Sequence, residues 1–318
     1  MPMISVIIPA YNAEKTISNC LHALEEQSVK EKFEVIIVDD GSTDRTAETA
    51  KGFKGVRVIL QANKGPAGAR NHGAREACGE ILVFTDADCE PAPNWLMEMA
   101  RPLEDSLVGG VQGAYATRQK EAVARLVQLE IEERYERMKK SKELDWIGTY
   151  AAAFRRKDFM ELKGFDEAYK TSSGEDPDFS YRLHGAGKRL AFNPNAVVYH
   201  THPCTWSRYF WTKFYRAAWR TKLYKDHPGK AVHDSYTPQL LKAQIILTYI
   251  ALAGVFLGSG FLVIGASAVL LGSGFPFAFF VKEKEKGFWL EALALVVTRS
   301  FAFALGLPYG VLKGMVAR

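Results

Sequence analysis

No charged residue occurs between Ala243 and Val281, a run of 39 positions in a chain of 318. Of the 77 charged residues (41 basic, 36 acidic), only nine fall after Lys242, and Phe288–Leu312 carries only Glu291 and Arg299. A water-facing surface is hard to build from so little charge, which leaves a buried soluble core helix as the weaker reading. As one helix the uncharged run would be about 58 Å long, against roughly 30 Å of bilayer hydrocarbon. A hairpin of two spans over 243–281 is therefore expected, reversing near Gly258-Ser-Gly260 or Gly265, with a third apolar segment over 288–312. The alternative is one long tilted helix ending near Gly272-Ser-Gly274-Phe-Pro276. Cysteine is equally scarce. Cys20, Cys78, Cys89 and Cys204 show neither paired nor metal-ligand spacing, which excludes a disulfide scaffold and a zinc knuckle and reads as reduced thiols. No secretory leader precedes the first apolar run, so the N-terminal part is expected in the cytoplasm of a multi-pass cell-membrane protein. Lys282, Lys284 and Lys286 would then mark a cytoplasmic loop. Neither internal repeats nor low-complexity segments are visible, and a net charge of +5 is ordinary.

What is present in the first 100 residues is a strand–helix alternation. Ile4–Pro9, Phe33–Val38, Val56–Leu60 and Ile81–Thr85 are short apolar runs, separated by helical patterns over Thr16–Gln27, Thr43–Gly52 and Ala67–Cys78. Strands apolar along their whole length are buried on both faces, which predicts a mostly parallel sheet between helix layers. Trp95–Leu103 is a further helix, and Ala122–Lys142 a long amphipathic one expected to cover the sheet or lie along the site, with its charges solvated. Another helix, a glycine-rich turn and the strand Ala196–Tyr199 lie between Ala151 and His200.

The fourth strand ends in Asp86-Ala-Asp88. Strand side chains alternate, so the two carboxylates point the same way off the strand's carboxyl end, where open α/β sheets bind ligands. Two hard oxygen ligands there suit Mg²⁺ or Mn²⁺ bridging to a diphosphate. Taken alone, such a pair is as readily a solvated acidic turn. Strand one ends in Pro9-Ala-Tyr11-Asn12 and strand two in Asp39-Asp40-Gly41-Ser42-Thr-Asp44, which bring polar groups to the same edge. Tyr11 can stack on a base and a carboxylate can accept from a uracil imide or a ribose hydroxyl. A tight turn with helix caps would use Ser42 and Asp44 as well. The loop Asn63-Lys64-Gly65-Pro-Ala-Gly68-Ala-Arg70 opens a helix, so its amides, with Lys64 and Arg70, suit an anion. Gly174-Glu175-Asp176-Pro177-Asp178 starts another helix, with Asp176 as cap and proline after it. Glu175 or Asp176 held there could take a proton from a hydroxyl.

The order of these segments (5–12, 38–44, 63–73, 86–88 and 174–183) resembles the family 2 inverting glycosyltransferases of the GT-A fold, over roughly residues 3–220. The resemblance implies an α/β GT-A catalytic domain, placed at 1–204, and a UDP- or GDP-sugar donor. By it, Pro9, Tyr11 and Asn12 with Asp40 would hold the nucleoside, Lys64 and Arg70 the phosphates, Asp86 the ribose or sugar, and Asp88 the metal. Asp176 would be the general base and Glu175, Gly148 and Thr149 would face the acceptor. His202, or His200 in its place, would be a third metal ligand.

Trp206–Lys225 interleaves aromatics with Arg208, Lys213, Arg216, Arg220, Lys222 and Lys225, a composition suited to lipid headgroups. The expected interface region is 205–242, followed by a transmembrane region over 243–318. Lys213, Arg216 and Trp219 stand where processive relatives carry a Gln/Arg-rich signature that is absent here. They are assigned to the acceptor side, and a lipid-linked or cell-surface glycan is the expected acceptor. A polyprenyl- or dolichyl-phosphate sugar synthase is the alternative. Nucleic-acid binding is set aside beside membrane helices. A phosphohydrolase is disfavoured because Cys-Glu-Pro follows Asp88, and a non-catalytic membrane scaffold because Asp40, Asp88 and Asp176 are all intact.

Overall fold

A computed structural model describes residues 3–29, 32–141, 144–171, 174–232, 234–235 and 237–314. The chain forms two compact units, one of Met1–Arg118 with Met138–Thr201, the other of Gln119–Arg137 with His202–Arg318.

The first unit opens with β1 (Ile4–Ala10), α1 (Ile17–Glu25), β2 (Phe33–Asp39), α2 (Thr46–Lys51), β3 (Val56–Leu60), α3 (Pro66–Glu76) and β4 (Ile81–Thr85). There follow β5 (Cys89–Pro91), α4 (Trp95–Ala100) and β6 (Val108–Ala116), the helix α5 (Ala122–Lys140) that enters the second unit, then β7 (Ala151–Arg155), α6 (Arg156–Glu161), α7 (Glu175–Gly185) and β8 (Arg189–His200). One sheet holds all eight strands in the order β3-β2-β1-β4-β7-β6-β8-β5. β1 pairs in parallel with both β2 and β4 (Ile4 opposite Phe33 and Ile81), and β2 with β3. The parallel block therefore matches the sequence pattern, and its order reverses at β1. The far half departs from it, since β7 runs antiparallel to both β4 and β6.

Both faces of the parallel block are covered, which is why its strands are apolar throughout. Val6, Ile8, Ile37 and Val83 pack against Ile17, Leu21 and Leu24 of α1 and Trp95 and Met99 of α4. On the other face Ile7 and Val38 lie so close to α3 that a Cβ on Gly73 would stand 2.5 Å from Ile7 Cγ2. Phe84, Phe154, Phe159, Phe165 and Phe179 form an edge-to-face cluster beside it. That cluster seats the start of α7 under the ends of β4 and β7.

The second unit adds α8 (Trp206–Asp226), α9 (Pro228–Val232), α10 (Gln239–Phe256), α11 (Gly260–Gly272), α12 (Phe275–Lys284) and α13 (Trp289–Leu312). Three stretches are long and apolar enough to cross a membrane: Gln239–Phe256, Gly260–Lys284 and Trp289–Leu312. The first reversal falls at Gly258, whose φ of +67° is the left-handed conformation glycine tolerates. α5 packs within the second unit over most of its length. Its Val123, Leu126, Val127 and Leu129 pack on Tyr209, Phe277, Val281, Leu295 and Val296. Its charges are not all solvated, because Glu130 is largely enclosed, 11% exposed, between Lys213 and Arg299 (2.7 and 2.9 Å). Burial alone would push the Glu130 carboxyl up, but the two cations outweigh it and hold it well below the usual carboxylate range. Burial also pulls the Lys213 ammonium down, to about 8.

Candidate active site

The carboxyl ends of β1, β2 and β4 lie side by side because β1 is flanked by the other two. Asp40, Asp86 and Asp88 follow those ends directly, and Tyr11 and Asn12 continue β1. Tyr11 is exposed. Asn12 adopts φ +50°. It clasps the loop after β2: its amide N–H donates to Ser42 Oγ (2.9 Å) and its Oδ1 accepts from the Thr43 amide (2.8 Å). Pro9, half-buried, is the last residue but one of the strand.

Asp40 is almost fully buried and both of its oxygens have partners. Oδ1 accepts from Gln61 Nε2 (2.7 Å) and the Lys64 amide (2.8 Å), and Oδ2 accepts from the Gly65 amide (2.8 Å). The amides expected to cradle a donor phosphate thus already hold an anion, the chain's own Asp40. The Lys64 side chain itself remains exposed. Gly65 is required here, since its φ is +85° and a Cβ would stand 2.9 Å from the Lys170 carbonyl oxygen.

Arg70 is 1% exposed and bridges two carboxylates. Nη2 donates to Asp86 Oδ1 (2.6 Å) and Nη1 to Glu175 Oε1 (2.8 Å). Burial lowers the guanidinium's pKa, and Asp86 and Glu175 more than restore it, so Arg70 stays charged. The expected phosphate ligand is therefore a tie between the end of β4 and the start of α7. Glu175 is 1% exposed and also accepts from the Gly174 amide (3.1 Å) at the helix start. Asp176, the next residue, is half-buried in the first turn of α7. Gly174 is held tight beside Tyr169, where a Cβ would stand 2.3 Å from the ring.

Asp86, Asp88 and Cys89 bring three possible ligand atoms within 4.8 Å of one another. Cys89 is a poor member, because burial and the two carboxylates push its thiol far up and keep it neutral. The half-exposed Asp88 is the better one. Partial burial raises its pKa, and His200, whose Nε2 lies 3.3 Å from Oδ2, lowers it by more. The carboxylate is thus ionised beside an imidazole. Of the two histidines considered from sequence, the structure puts His200 beside Asp88. His202 belongs to the second unit, buried, with Nε2 2.9 Å from Gln128 Oε1. The carboxylates of Asp86 and Asp88 offer hard oxygen donors that fit a divalent cation, with His200 Nε2 beside Asp88.

His200 is backed by an aromatic column that sequence reading did not find. Its ring centroid lies 4.7 Å from that of Tyr115, which stacks on Tyr150 at 3.6 Å. Gln112 fixes the column, donating to the Tyr150 hydroxyl (2.8 Å) and accepting from the Gly148 amide (2.9 Å). Gly148 and the buried Thr149 are thereby placed on the segment after which β7 begins, where Thr85 Oγ1 donates to the Tyr150 carbonyl (2.9 Å). Lys213, Arg216 and Trp219 lie on α8 in the second unit. Lys213 is engaged by Glu130, and Arg216 is exposed.

A mostly parallel sheet between helices, with an acidic pair at its switch-point edge, defines an α/β domain of the GT-A type. Residues 5–162 match the family model for glycosyl transferase family 2, and the chain carries a glycosyltransferase family 2 domain. Glycosyltransferase AglE of Haloferax volcanii is 38% identical over 119 residues, 35% of this chain and 39% of that protein. An N-acetylglucosaminyltransferase of Mesorhizobium japonicum is 30% identical over 216 residues, 62% of this chain and 51% of that protein. The chain spans about half or less of these relatives' length. Among solved structures, the mannosyltransferase PcManGT from Pyrobaculum calidifontis, in complex with GDP-Man and Mn²⁺, matches with a TM-score of 0.64 at 24% identity, covering 98% of this chain and 88% of that one. That likeness is one of fold.

Proposed function

We propose that the protein is a membrane-attached, inverting glycosyltransferase that moves a sugar from a UDP- or GDP-sugar to a hydroxyl or phosphate of a lipid-linked or cell-surface glycan acceptor. The observation that carries this reading is the Arg70 bridge. It fixes the end of β4, with Asp86 and Asp88, against the helix start that bears Asp176. A nucleotide-binding edge and a candidate base are then held at one place on rigid elements. The mannosyltransferase with GDP-Man and Mn²⁺ and GalNAc-T7 with UDP, GalNAc and Mn²⁺ share the fold, which supports a diphosphate donor and a divalent cation.

In this reading Asp88 and His200 hold Mg²⁺ or Mn²⁺, and Asp86 uses its remaining oxygen toward the donor's ribose or sugar. The cation, when bound, offsets the charge that builds on the departing nucleoside diphosphate. Tyr11 stacks on the base at the exposed end of β1. Asp176 accepts the proton of the acceptor hydroxyl as it attacks the anomeric carbon in line, which inverts that centre. A phosphate acceptor would arrive ionised and need no base, so a polyprenyl-phosphate acceptor would make Asp176 dispensable for proton transfer. The apolar helices favour a lipid-borne acceptor, and Lys282, Lys284 and Lys286 support a catalytic unit on the cytoplasmic side.

A thermal-shift screen against nucleotide sugars with and without Mn²⁺ tests the donor class. Stabilisation by a UDP- or GDP-sugar that requires the cation is expected, about 2.7 kcal/mol at a hundredfold excess over Kd. Equal shifts with and without cation across all nucleotides would contradict the proposal.

A further inference from the structure

The second unit sets a strongly charged helix flush against an apolar one. α8 carries Arg208, Lys213, Arg216, Arg220, Lys222 and Lys225, with Arg208 and Arg216 exposed. α13 runs along it in parallel at backbone contact. A Cβ on Gly306 would stand 2.3 Å from the Phe214 carbonyl oxygen, and one on Gly310 2.2 Å from that of Ala218. The Tyr309 and Phe214 rings meet at 5.0 Å between the two glycines. A helix this closely matched to α8 shares its depth.

Arg299, near the middle of α13, fixes that depth further. It donates to Glu130 of α5 (2.9 Å) and to Gln244 of α10 (3.1 Å). Gln244 in turn donates to Ser273 Oγ (3.1 Å), and Glu130 accepts from Lys213 (2.7 Å) and Tyr209 (3.2 Å). Five elements thus meet in one polar layer. If α13 crossed a bilayer, Arg299 would lie ten residues from Trp289, about 15 Å in, at the midplane of a ~30 Å core. Glu130 would be drawn there with the charged turns of α5 that follow it (Glu132, Glu133, Arg134), as would Lys213 and the exposed Arg216 of α8. So much charge at that depth is strongly disfavoured. At the headgroup level the same layer is unexceptional.

The α10–α11 hairpin has the complementary character. Beyond Gln244, α10 continues only to Phe256, about 18 Å, enough for one leaflet and short of the full core. The reversal is its most apolar and most exposed part: Phe256 is 92% and Phe261 86% exposed. Ser259 is the one polar side chain there, and it serves as the cap of α11. A reversal that emerged into water on the far side would leave those rings solvated.

We propose that the C-terminal unit is monotopic. α5, α8 and α13 lie at the headgroup level of one leaflet, and the α10–α11 hairpin dips into the hydrocarbon and ends there without crossing, in place of the spans expected from hydropathy. Trp206, Trp211 and Tyr215, exposed on α8, sit at the depth where such rings anchor. The chain then never leaves the side on which it enters.

The test is labelling of the full chain in sealed membrane vesicles of both orientations with a membrane-impermeant maleimide. Cys204→Ser reports the side of the first unit through its remaining exposed thiol, Cys78. Lys313→Cys and Ser259→Cys, each in a Cys78→Ser/Cys204→Ser background, report the end of α13 and the hairpin tip. Lys313→Cys is expected to label from the same face as Cys78. Ser259→Cys is expected to label from neither face until detergent is added, at least tenfold below Lys313→Cys. Labelling of either position only from the face opposite Cys78 would overturn the proposal. Leu312→Cys, 85% exposed, gives the same reading should Lys313→Cys not accumulate.

Discussion

A guanidinium shut away from water needs carboxylates around it, and Arg70 has two, Asp86 at 2.6 Å and Glu175 at 2.8 Å. Removing it by Arg70→Met would leave Glu175 buried and uncompensated, a loss of about 3–5 kcal/mol. The expected outcome is a fall in Tm, partly recovered in Arg70→Met/Glu175→Gln; an unchanged Tm for the single variant would contradict the bridge. Arg70→Lys should not restore both contacts, because an ammonium cannot reach two carboxylates in the fork geometry. The bridge was not legible in the sequence, where Arg70 beside a glycine-rich loop reads as an anion ligand. What hid it is separation, 105 positions between the partners. The same holds for Asp40, whose spacing announces a functional carboxylate but not that three donors of the β3–α3 loop already surround it.

Among elements, the parallel strands were readable because burial on both faces makes them apolar from end to end. β6 and β7 were not. Val108-Gly-Gly-Val-Gln-Gly-Ala-Tyr-Ala116 is diluted by glycines that close packing demands, since a Cβ on Gly113 would stand 2.3 Å from the Ala196 carbonyl oxygen. Ala151-Ala-Ala-Phe reads as helix by propensity and is strand by tertiary pairing with β4. Gln112, Tyr115 and the column behind His200 were lost with them. Two predictions belong to this scale. Gly306→Val forces α13 off α8 and should lower the Tm of the detergent-solubilised protein by several degrees, whereas Gly265→Val, in open space, should leave it nearly unchanged. The second concerns acid. Glu130 titrates lower in the folded than in the unfolded chain, where a Glu sits near about 4.3. Above that value both states are ionised and the contribution is complete. As the pH falls below it, the unfolded chain binds the proton first and stability declines. Melting curves from pH 6 to 3 should therefore steepen below about pH 4.3 in the native protein, less so in Glu130→Gln.

At the scale of the molecule, charge segregation along the chain separated a soluble-looking sheet unit from apolar helices, and five ordered motifs carried the family. Hydropathy could not give depth. The pairing of Arg299 with Glu130 and the glycine contacts to α8 appear only when the helices are packed, and they argue against crossing. The central claim is that Asp88 and Asp176 serve one inverting transfer, and the most direct measurement is nucleoside diphosphate release from the stabilising donor by the native protein, Asp88→Ala and Asp176→Asn. The account predicts that Asp88→Ala loses cation-dependent release. It predicts that Asp176→Asn keeps cation-dependent donor binding while turnover to a hydroxyl acceptor falls by about 10²–10⁴. Release and transfer at the native rate in both variants would contradict it.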